Sequence, residues 1–184
     1  MSLASSLRRT IIWNSGFTGL MDALRDTSFR PVLEASLNRE GRTVFLEDDR
    51  AWMNRLTAWD PDSEAYLVEY STFLSQWREL LHDPSRLQMN LLTAILDREW
   101  DVLLLDAPKG LKKSSPGRMK SIFIASVLRA PDADVFVHDC NRDVESSYAA
   151  RYLGNEHLKG QAVRLNHYSF SDPAPNGKGH VSGA

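Results

Sequence analysis

The sequence has little cysteine and no long apolar run. A single cysteine, Cys140, stands among 184 residues, which excludes an internal disulfide framework but leaves the redox compartment open. No apolar stretch approaches the roughly 20 residues of a membrane-spanning helix, so we expect no membrane segment in this chain. The short, interrupted apolar part of its N-terminal residues likewise predicts neither an anchor nor a signal peptide.

Neither sign of charge is in excess. Lysine and arginine number 22 against 24 acidic residues, and the formal net charge is -2. This balance gives no global electrostatic reason to bind nucleic acid, so no nucleic-acid partner is expected and any anion site must be local. A hydrophobic content of 42% with 25% charged residues is typical of a globular protein, and the length suits one domain.

Hydrophobic periodicity predicts strands that alternate with helices. Apolar runs predict strands at residues 43–47, 65–70, 101–106 and 134–139, and a last strand within 161–170 that could run antiparallel at the edge. Helical stripes fall at residues 17–24, 32–37, 52–59, 73–81, 85–96, 119–127 and 144–152. This alternation favours an α/β sheet with right-handed crossovers.

The chain divides into three parts by composition. Residues 37–171 carry the alternating strands and helices and form the predicted α/β domain. Residues 1–36 are expected to be a divergent helical segment. Residues 172–184 are rich in proline, glycine and small side chains and are expected to be a disordered tail.

Acidic residues stand at the ends of three predicted strands. They are Glu47 with Asp48, then Asp106, then Asp139, which follows His138. An isolated acid after a strand most often caps the next helix. Three such ends in one parallel sheet favour a shared site instead, because ligands bind outside the carboxyl ends of parallel strands.

The residue types at these positions suggest several kinds of chemistry. Glu47 suits hydrogen bonds from ribose hydroxyls, because a carboxylate accepts two donors in parallel. Asp106 could act as a general base, hold a cation or orient a ligand, and His138 beside an aspartate could be tuned towards neutrality. Asp106, Asp139 and Asn141 could instead hold a divalent cation.

A basic loop follows the predicted strand at residues 101–106. Its cations either bind an anionic substrate or are simply solvated, and the pattern leaves both interpretations open: Lys109, Lys112, Lys113 and Arg118.

Four motifs in order and spacing carry a family resemblance. "GRTVFLEDD", "WDVLLLDAPKG", "PGRM" and "DVFVHDCNRDVE" resemble the plant glucuronoxylan 4-O-methyltransferase family and its irregular-xylem relatives, from about residue 37 to 170. The resemblance implies a Rossmann-like class I methyltransferase sheet with helices on both faces, S-adenosylmethionine as cofactor, and methyl transfer to O4 of glucuronic acid on xylan. It also implies location in the Golgi, whereas a chain without an anchor could be cytoplasmic.

The resemblance also assigns roles to residues. Glu47 and Asp48 would bind the cofactor. The reaction centre would contain Asp106, His138 and Asp139, and the carboxylate of the acidic polysaccharide would meet Lys109, Arg118 and Arg142. Methyl transfer to a sugar hydroxyl needs alignment and a base, and Asp106 and His138 are both candidates for that base.

One element of the family pattern is missing. Family members enter the cofactor site through a strand and a glycine-rich turn, where backbone amides approach the ligand closely. Residues 25–31, "RDTSFRP", stand where that turn is expected and contain no glycine, while Gly16 and Gly19 come too early and without a recognisable strand before them. We therefore expect the first, central strand to be lacking or replaced.

The missing turn leaves three further hypotheses beside the enzyme. The chain could be a non-catalytic family member that supports xylan assembly by binding polysaccharide or a partner enzyme. It could be a truncated, inactive product of a longer enzyme. Less favoured is a divalent-metal hydrolase built on the acids at the strand ends, because the spacing of histidine and acid matches no metal motif strongly.

Overall fold

The computed structural model describes residues 8–14, 41–59, 61–62 and 64–171. The predicted helices at residues 17–24 and 32–37 and the predicted tail at residues 172–184 lie outside the described residues.

The described chain contains strands and helices in alternation, followed by a hairpin. The strands are β1 (Arg9–Asn14), β2 (Arg42–Glu47), β3 (Glu64–Leu67), β4 (Trp100–Asp106), β5 (Arg129–Val137), β6 (Leu158–Ala162) and β7 (Leu165–Ser169). The α-helices are α1 (Arg50–Trp59), α2 (Trp77–Leu80), α3 (Thr93–Leu96), α4 (Met119–Leu128) and α5 (Asp143–Tyr152). Short 3-10 turns occur at Leu74–Gln76, Pro84–Leu87 and Asn155–His157.

The strands of the described residues form one 7-stranded sheet in the order β3-β2-β1-β4-β5-β7-β6. Strands β1 to β5 pair in parallel, and β7 runs antiparallel to both β5 and β6. The predicted α/β class is thereby confirmed, and this mixed sheet is consistent with a Rossmann-like methyltransferase sheet. The edge predicted as one strand is a hairpin, and its inner strand, β7, runs antiparallel to β5.

The first, central strand is present, and the expectation that it is lacking is wrong. β1 pairs with β2 on one side and β4 on the other, so part of the segment predicted to be helical at residues 1–36 belongs to the sheet. Its residues are β-branched and aromatic, and Ile11 and Trp13 are fully buried. The strand is short and follows two arginines, which made its apolar run look interrupted.

Two clusters of buried side chains cover the two faces of the sheet. On the larger, Ile11, Trp13 and Leu103 pack with residues of α4 and α5. The smaller contains Ile12 and Leu104, which alternate with them along the same strands. Alternate residues of a strand point to opposite faces, so central strands that are buried on both faces are apolar throughout.

The region between β3 and β4 is less helical than predicted. The helix expected at residues 85–96 is absent: Pro84 begins a 3-10 turn, residues 88–92 contain no helix, and α3 is a single short helix. The buried amino group of Lys120 donates to Ser71 Oγ at 2.9 Å and to the carbonyl of Gln88 at 2.8 Å. Contacts with α4, rather than helical hydrogen bonds, therefore hold this segment, although its leucines are spaced like a helical stripe.

A core substitution tests whether β1 is an integral part of the sheet. Ile11→Ala should lower the free energy of unfolding by about 2–5 kcal/mol, because it leaves a cavity in the larger cluster of buried side chains on one face of the sheet. Urea unfolding followed by circular dichroism measures the loss. Leu111→Ala is the matched control, since Leu111 is 79% exposed and its truncation should cost less than about 0.5 kcal/mol. Equal stability of the two variants would contradict a buried central strand.

Candidate active site

The acidic residues that end the strands lie together at one end of the sheet, where the carboxyl ends of the parallel strands meet. Asn14, the last residue of β1, is in register with Glu47 of β2 and with Asp106 of β4. The backbone amide of His138 continues the β4–β5 pairing by donating to the carbonyl of Leu105 at 3.0 Å. Because β1 lies between β2 and β4, Glu47 and Asp106 stand two strand spacings, or about 10 Å, apart. The order of strands reverses at β1 and β4, which is where ligands bind in open α/β sheets.

A buried histidine and aspartate form the centre of the site. His138 Nδ1 lies 2.8 Å from Asp106 Oδ1, and both side chains are buried. An ionised carboxylate only accepts hydrogen bonds, so we assign the proton to Nδ1 and leave Nε2 as the basic nitrogen. No hydrogen bond of Nε2 to another described residue is present.

Arg118 occupies the interior of this cluster. It lies immediately before α4, and its Nη2 donates to Asp106 Oδ1 at 2.9 Å and to the Asp106 carbonyl at 3.1 Å. Its Nη1 donates to Asp139 Oδ2 and to the carbonyl of His138 at 3.3 Å. This guanidinium is enclosed by protein groups, so the structure does not place Arg118 where the resemblance would have it meet a substrate.

The carboxylate of Asp139 pairs with three arginines. Besides Arg118, it forms an ion pair with Arg142, whose Nη1 lies 2.9 Å from Oδ2, and its Oδ1 accepts a hydrogen bond from Arg164 Nη2. Its backbone is left-handed, with φ 63°, a conformation that aspartate adopts more readily than most residues. The turn after β5 thus directs the carboxylate back into the cluster.

The predicted cation ligands are only partly together. Asp106 and Asp139 lie close to each other, with His138 as the third possible ligand, whereas Asn141 is exposed outside this group. Arg118 stands between the two carboxylates, and a divalent ion there would have to displace a guanidinium that already neutralises them. The side chains as arranged do not fit a divalent cation.

Two residues of this cluster, Glu145 and Arg164, were not predicted from the sequence. Glu145 of α5 is almost fully buried, 3.7 Å from Arg118, and burial raises its pKa. It lies on the same buried stripe of α5 as Tyr148 and Ala149, and an acid on such a stripe was a usable signal. Arg164 gave no signal, because residues 161–170 were interpreted as one strand and not as a hairpin.

The acids after β2 serve different purposes. Asp49 Oδ1 accepts hydrogen bonds from the amides of Ala51 and Trp52 and caps α1. Glu47 is buried, and its Oε2 has no hydrogen-bond partner among the described residues. Burial, followed by the charges of Asp48 and Asp49, raises the pKa of Glu47 to about 8. Asp48 Oδ1 also lacks a partner within the described residues, and burial raises the pKa of Asp48.

The basic loop at residues 109–117 rests on the cluster. The amide of Gly117 donates to the carbonyl of Lys109 at 3.2 Å and closes the loop. A Cβ atom at Gly110 would lie 3.1 Å from Glu145 Oε1, a tight contact, so the loop backbone approaches the cluster closely at this glycine. Lys109 is exposed beside the cluster, on the loop that the hydrogen bond from Gly117 closes.

The raised pKa of Glu47 makes a prediction for stability against pH. The folded state holds the proton of Glu47 up to about pH 8, whereas the unfolded chain releases it near pH 4.5, so wild-type stability falls as pH rises between these values. Glu47→Gln should therefore gain about 1–3 kcal/mol over wild type at pH 8 and little at pH 4.5. Urea unfolding at both pH values, with exposed Glu69→Gln as control, measures this; equal effects at the two pH values would contradict it.

The enclosed guanidinium makes a second prediction. Arg118→Met should lower the free energy of unfolding by about 3–5 kcal/mol, because it leaves buried Asp106 and Asp139 without their shared cation. The control is Arg151→Met on the exposed side of α5, which should change stability by less than about 0.5 kcal/mol. A loss below about 1 kcal/mol for Arg118→Met would show that the acids do not depend on it.

Similar proteins give this site a context. The family model IRX15/IRX15L/GXM matches residues 29–89 and 82–168. Glucuronoxylan 4-O-methyltransferase 2 of Arabidopsis thaliana is 35% identical over 160 residues, which cover 76% of this chain and 55% of that protein. Arabinogalactan O-methyltransferase 1 of the same plant is 37% identical over 169 residues, covering 79% and 58%.

A third relative is named without an activity. Protein IRX15-LIKE of Arabidopsis thaliana is 35% identical over 162 residues, covering 74% of this chain and 51% of that protein. The chain thus spans about half the length of the curated relatives it matches. None of the helices in the described part of the chain has the length and apolar character of a membrane span. The matched residues extend from the segment before β2 to β7, and the chain belongs to the IRX15/IRX15L/GXM family of polysaccharide biosynthesis proteins.

Proposed function

We propose that this chain transfers a methyl group from S-adenosylmethionine to a hydroxyl of glucuronic acid side chains on xylan. The observation that carries the proposal is the buried pair of His138 and Asp106, 2.8 Å apart, at the same end of the sheet as Glu47, whose Oε2 has no hydrogen-bond partner among the described residues. Asp106, which holds the base, lies two strand spacings, or about 10 Å, from Glu47, and this separation leaves room for a transfer between two bound molecules. By resemblance, such a protein would work in the Golgi.

The residues at the end of β2 fit the cofactor. Glu47 is a buried carboxyl group whose Oε2 has no partner among the described residues, and a ribose hydroxyl would donate the hydrogen bond that this oxygen lacks and so favour the ionised form of Glu47. Gly16 and Gly19 follow shortly after β1 in the sequence, so one of the two reasons for discounting them, the lack of a strand before them, no longer holds. S-adenosylmethionine would supply an electrophilic methyl group bound to a sulfonium.

We assign the role of base to His138 and that of orienting residue to Asp106. The carboxylate of Asp106 is already committed to Arg118 and to His138 Nδ1. His138 Nε2 would then accept the proton of the sugar hydroxyl. As this proton leaves, the hydroxyl oxygen would bond to the methyl carbon of S-adenosylmethionine, and the bond between that carbon and the sulfur would break. An imidazole fixed in one tautomer by a carboxylate is suited to this task.

A second candidate is a non-catalytic protein of xylan assembly that binds polysaccharide. The names of two relatives, Protein IRX15-LIKE and Protein IRREGULAR XYLEM 15, state no activity, and they match this chain about as well as the named methyltransferases. Such a protein would bind xylan oligosaccharides without methyl transfer.

Methylation of glucuronic-acid-bearing xylo-oligosaccharides tests the proposal. Incubation with S-adenosylmethionine labelled on its methyl group should give labelled product, detected by mass spectrometry. His138→Gln should lower kcat by about 10²–10⁴-fold, because it removes the base, and should leave the melting-temperature increase with S-adenosylmethionine unchanged. His82→Gln, at an exposed position, should behave like wild type.

The outcomes separate the candidates. Binding of the oligosaccharide without methyl transfer would favour the non-catalytic protein over the enzyme. No rise in melting temperature with millimolar S-adenosylmethionine would exclude the cofactor for this chain, since a ligand of the folded state must stabilise it.

A further inference from the structure

Two residues in an unfavourable backbone conformation meet beside the candidate active site. Among the described residues, the non-glycine positions with positive φ are Asp139 at 63° and Val163 at 53°. They are adjacent in space, because the amide of Cys140 donates to the carbonyl of Arg164 at 3.0 Å. For a β-branched residue such as valine this conformation is a genuine outlier, and residues of this kind cluster at functional sites.

The strain at Val163 is not offset by packing of its own side chain. Val163 is 86% exposed, at the turn between β6 and β7. The turn places the next residue, Arg164, beside the site. β7 starts beside the end of β5, and the Arg164 guanidinium reaches Asp139 Oδ1. The turn conformation therefore serves the position of Arg164.

The three arginines on Asp139 differ in their access to solvent. The exposed fraction of the side chain is 5% for Arg118, 25% for Arg142 and 44% for Arg164. Arg164 meets Asp139 through Nη2, and its Nε and Nη1 have no hydrogen-bond partner among the described residues. A guanidinium has five N–H groups in a planar fork, so Arg164 keeps donors for a second anion.

The charge around Arg164 favours such an anion. Three arginines face three carboxylates in the cluster, but burial raises the pKa of Glu145 and shifts that group towards the neutral acid. Exposed Lys109 adds a positive charge from the loop that rests on Glu145 through Gly110. The carboxylates of the cluster are thus buried, whereas the charges of Arg164 and Lys109 are open to solvent.

We propose that Arg164 binds the carboxylate of an acidic acceptor sugar, sharing its guanidinium between that carboxylate and Asp139. It is then the residue that distinguishes a uronic acid from the corresponding neutral sugar. This inference rests on the proposed methyl transfer and deepens it. It moves the carboxylate contact from enclosed Arg118 to a half-exposed arginine at the rim.

Two matched acceptors test the inference. One is a xylo-oligosaccharide with a glucuronic acid branch, and the other is the same molecule with its carboxyl group reduced to an alcohol. Arg164→Gln should lower kcat/KM for the acidic acceptor by about 10- to 100-fold, mainly through KM, because a charge-assisted pair is lost. The same variant should change kcat/KM for the reduced acceptor by less than about 3-fold. Arg164→Lys should recover part of the loss.

The control and the contrary outcomes are distinct. Arg98→Gln alters an exposed arginine just before β4, at the opposite end of the sheet, and should leave both acceptors unaffected. Equal losses on both acceptors with Arg164→Gln would show a structural role through Asp139, and no loss on either would also overturn the inference.

A binding measurement keeps the inference separate from catalysis. If wild-type protein methylates neither acceptor, the proposed function fails. Calorimetry with the same two oligosaccharides still decides the role of Arg164. Tighter binding of the acidic one by wild type, lost in Arg164→Gln, would support it, and equal binding of both would overturn it.

Discussion

The buried guanidinium of Arg118 is the interaction on which the site depends. It lies between Asp106, at the end of β4, and Asp139, after β5, and donates to both. Two carboxylates this close and this deeply buried would repel each other and lose their hydration if no cation stood between them. Because Arg118 also precedes the first turn of α4, one side chain joins two strand ends to a helix. It thereby fixes the acid that orients His138.

The two halves of the site differ because only one contains such a cation. Around Asp106 and Asp139, charged hydrogen bonds are already made within the protein. Glu47 is buried and Asp48 is partly buried, and each has an oxygen atom, Oε2 and Oδ1, that lacks a partner in the described part of the chain. A buried polar atom without a partner costs about 1–3 kcal/mol, so a ligand that donates hydrogen bonds gains affinity there. Under the proposed function, the acceptor side is thus pre-organised by the protein, whereas the cofactor side would be completed by its ligand.

Sequence patterns predicted the parts of the fold that arise from local alternation, and failed where long-range contacts decide. The runs at β2, β4 and β5 and the stripes of α4 and α5 were visible because each buries a continuous apolar face. β1 was missed because Ile11 and Trp13 form a short run whose neighbours lie far along the chain. The position of the acids followed from strand order alone. The enclosure of Arg118 did not, since nothing in "PGRM" shows that four protein groups surround its guanidinium.

Exposure, rather than residue type, separates the roles of the arginines around Asp139. Arg118 holds the centre together and tolerates little change, because its loss leaves buried acids unpaired. Arg164 sits on a turn whose preceding side chain packs against almost nothing, so the rim can vary without disturbing the pair of His138 and Asp106. Relatives of this chain are named for glucuronoxylan and for arabinogalactan. Under the proposed function, a fixed centre with a variable rim would let one fold perform one kind of transfer on different polymers.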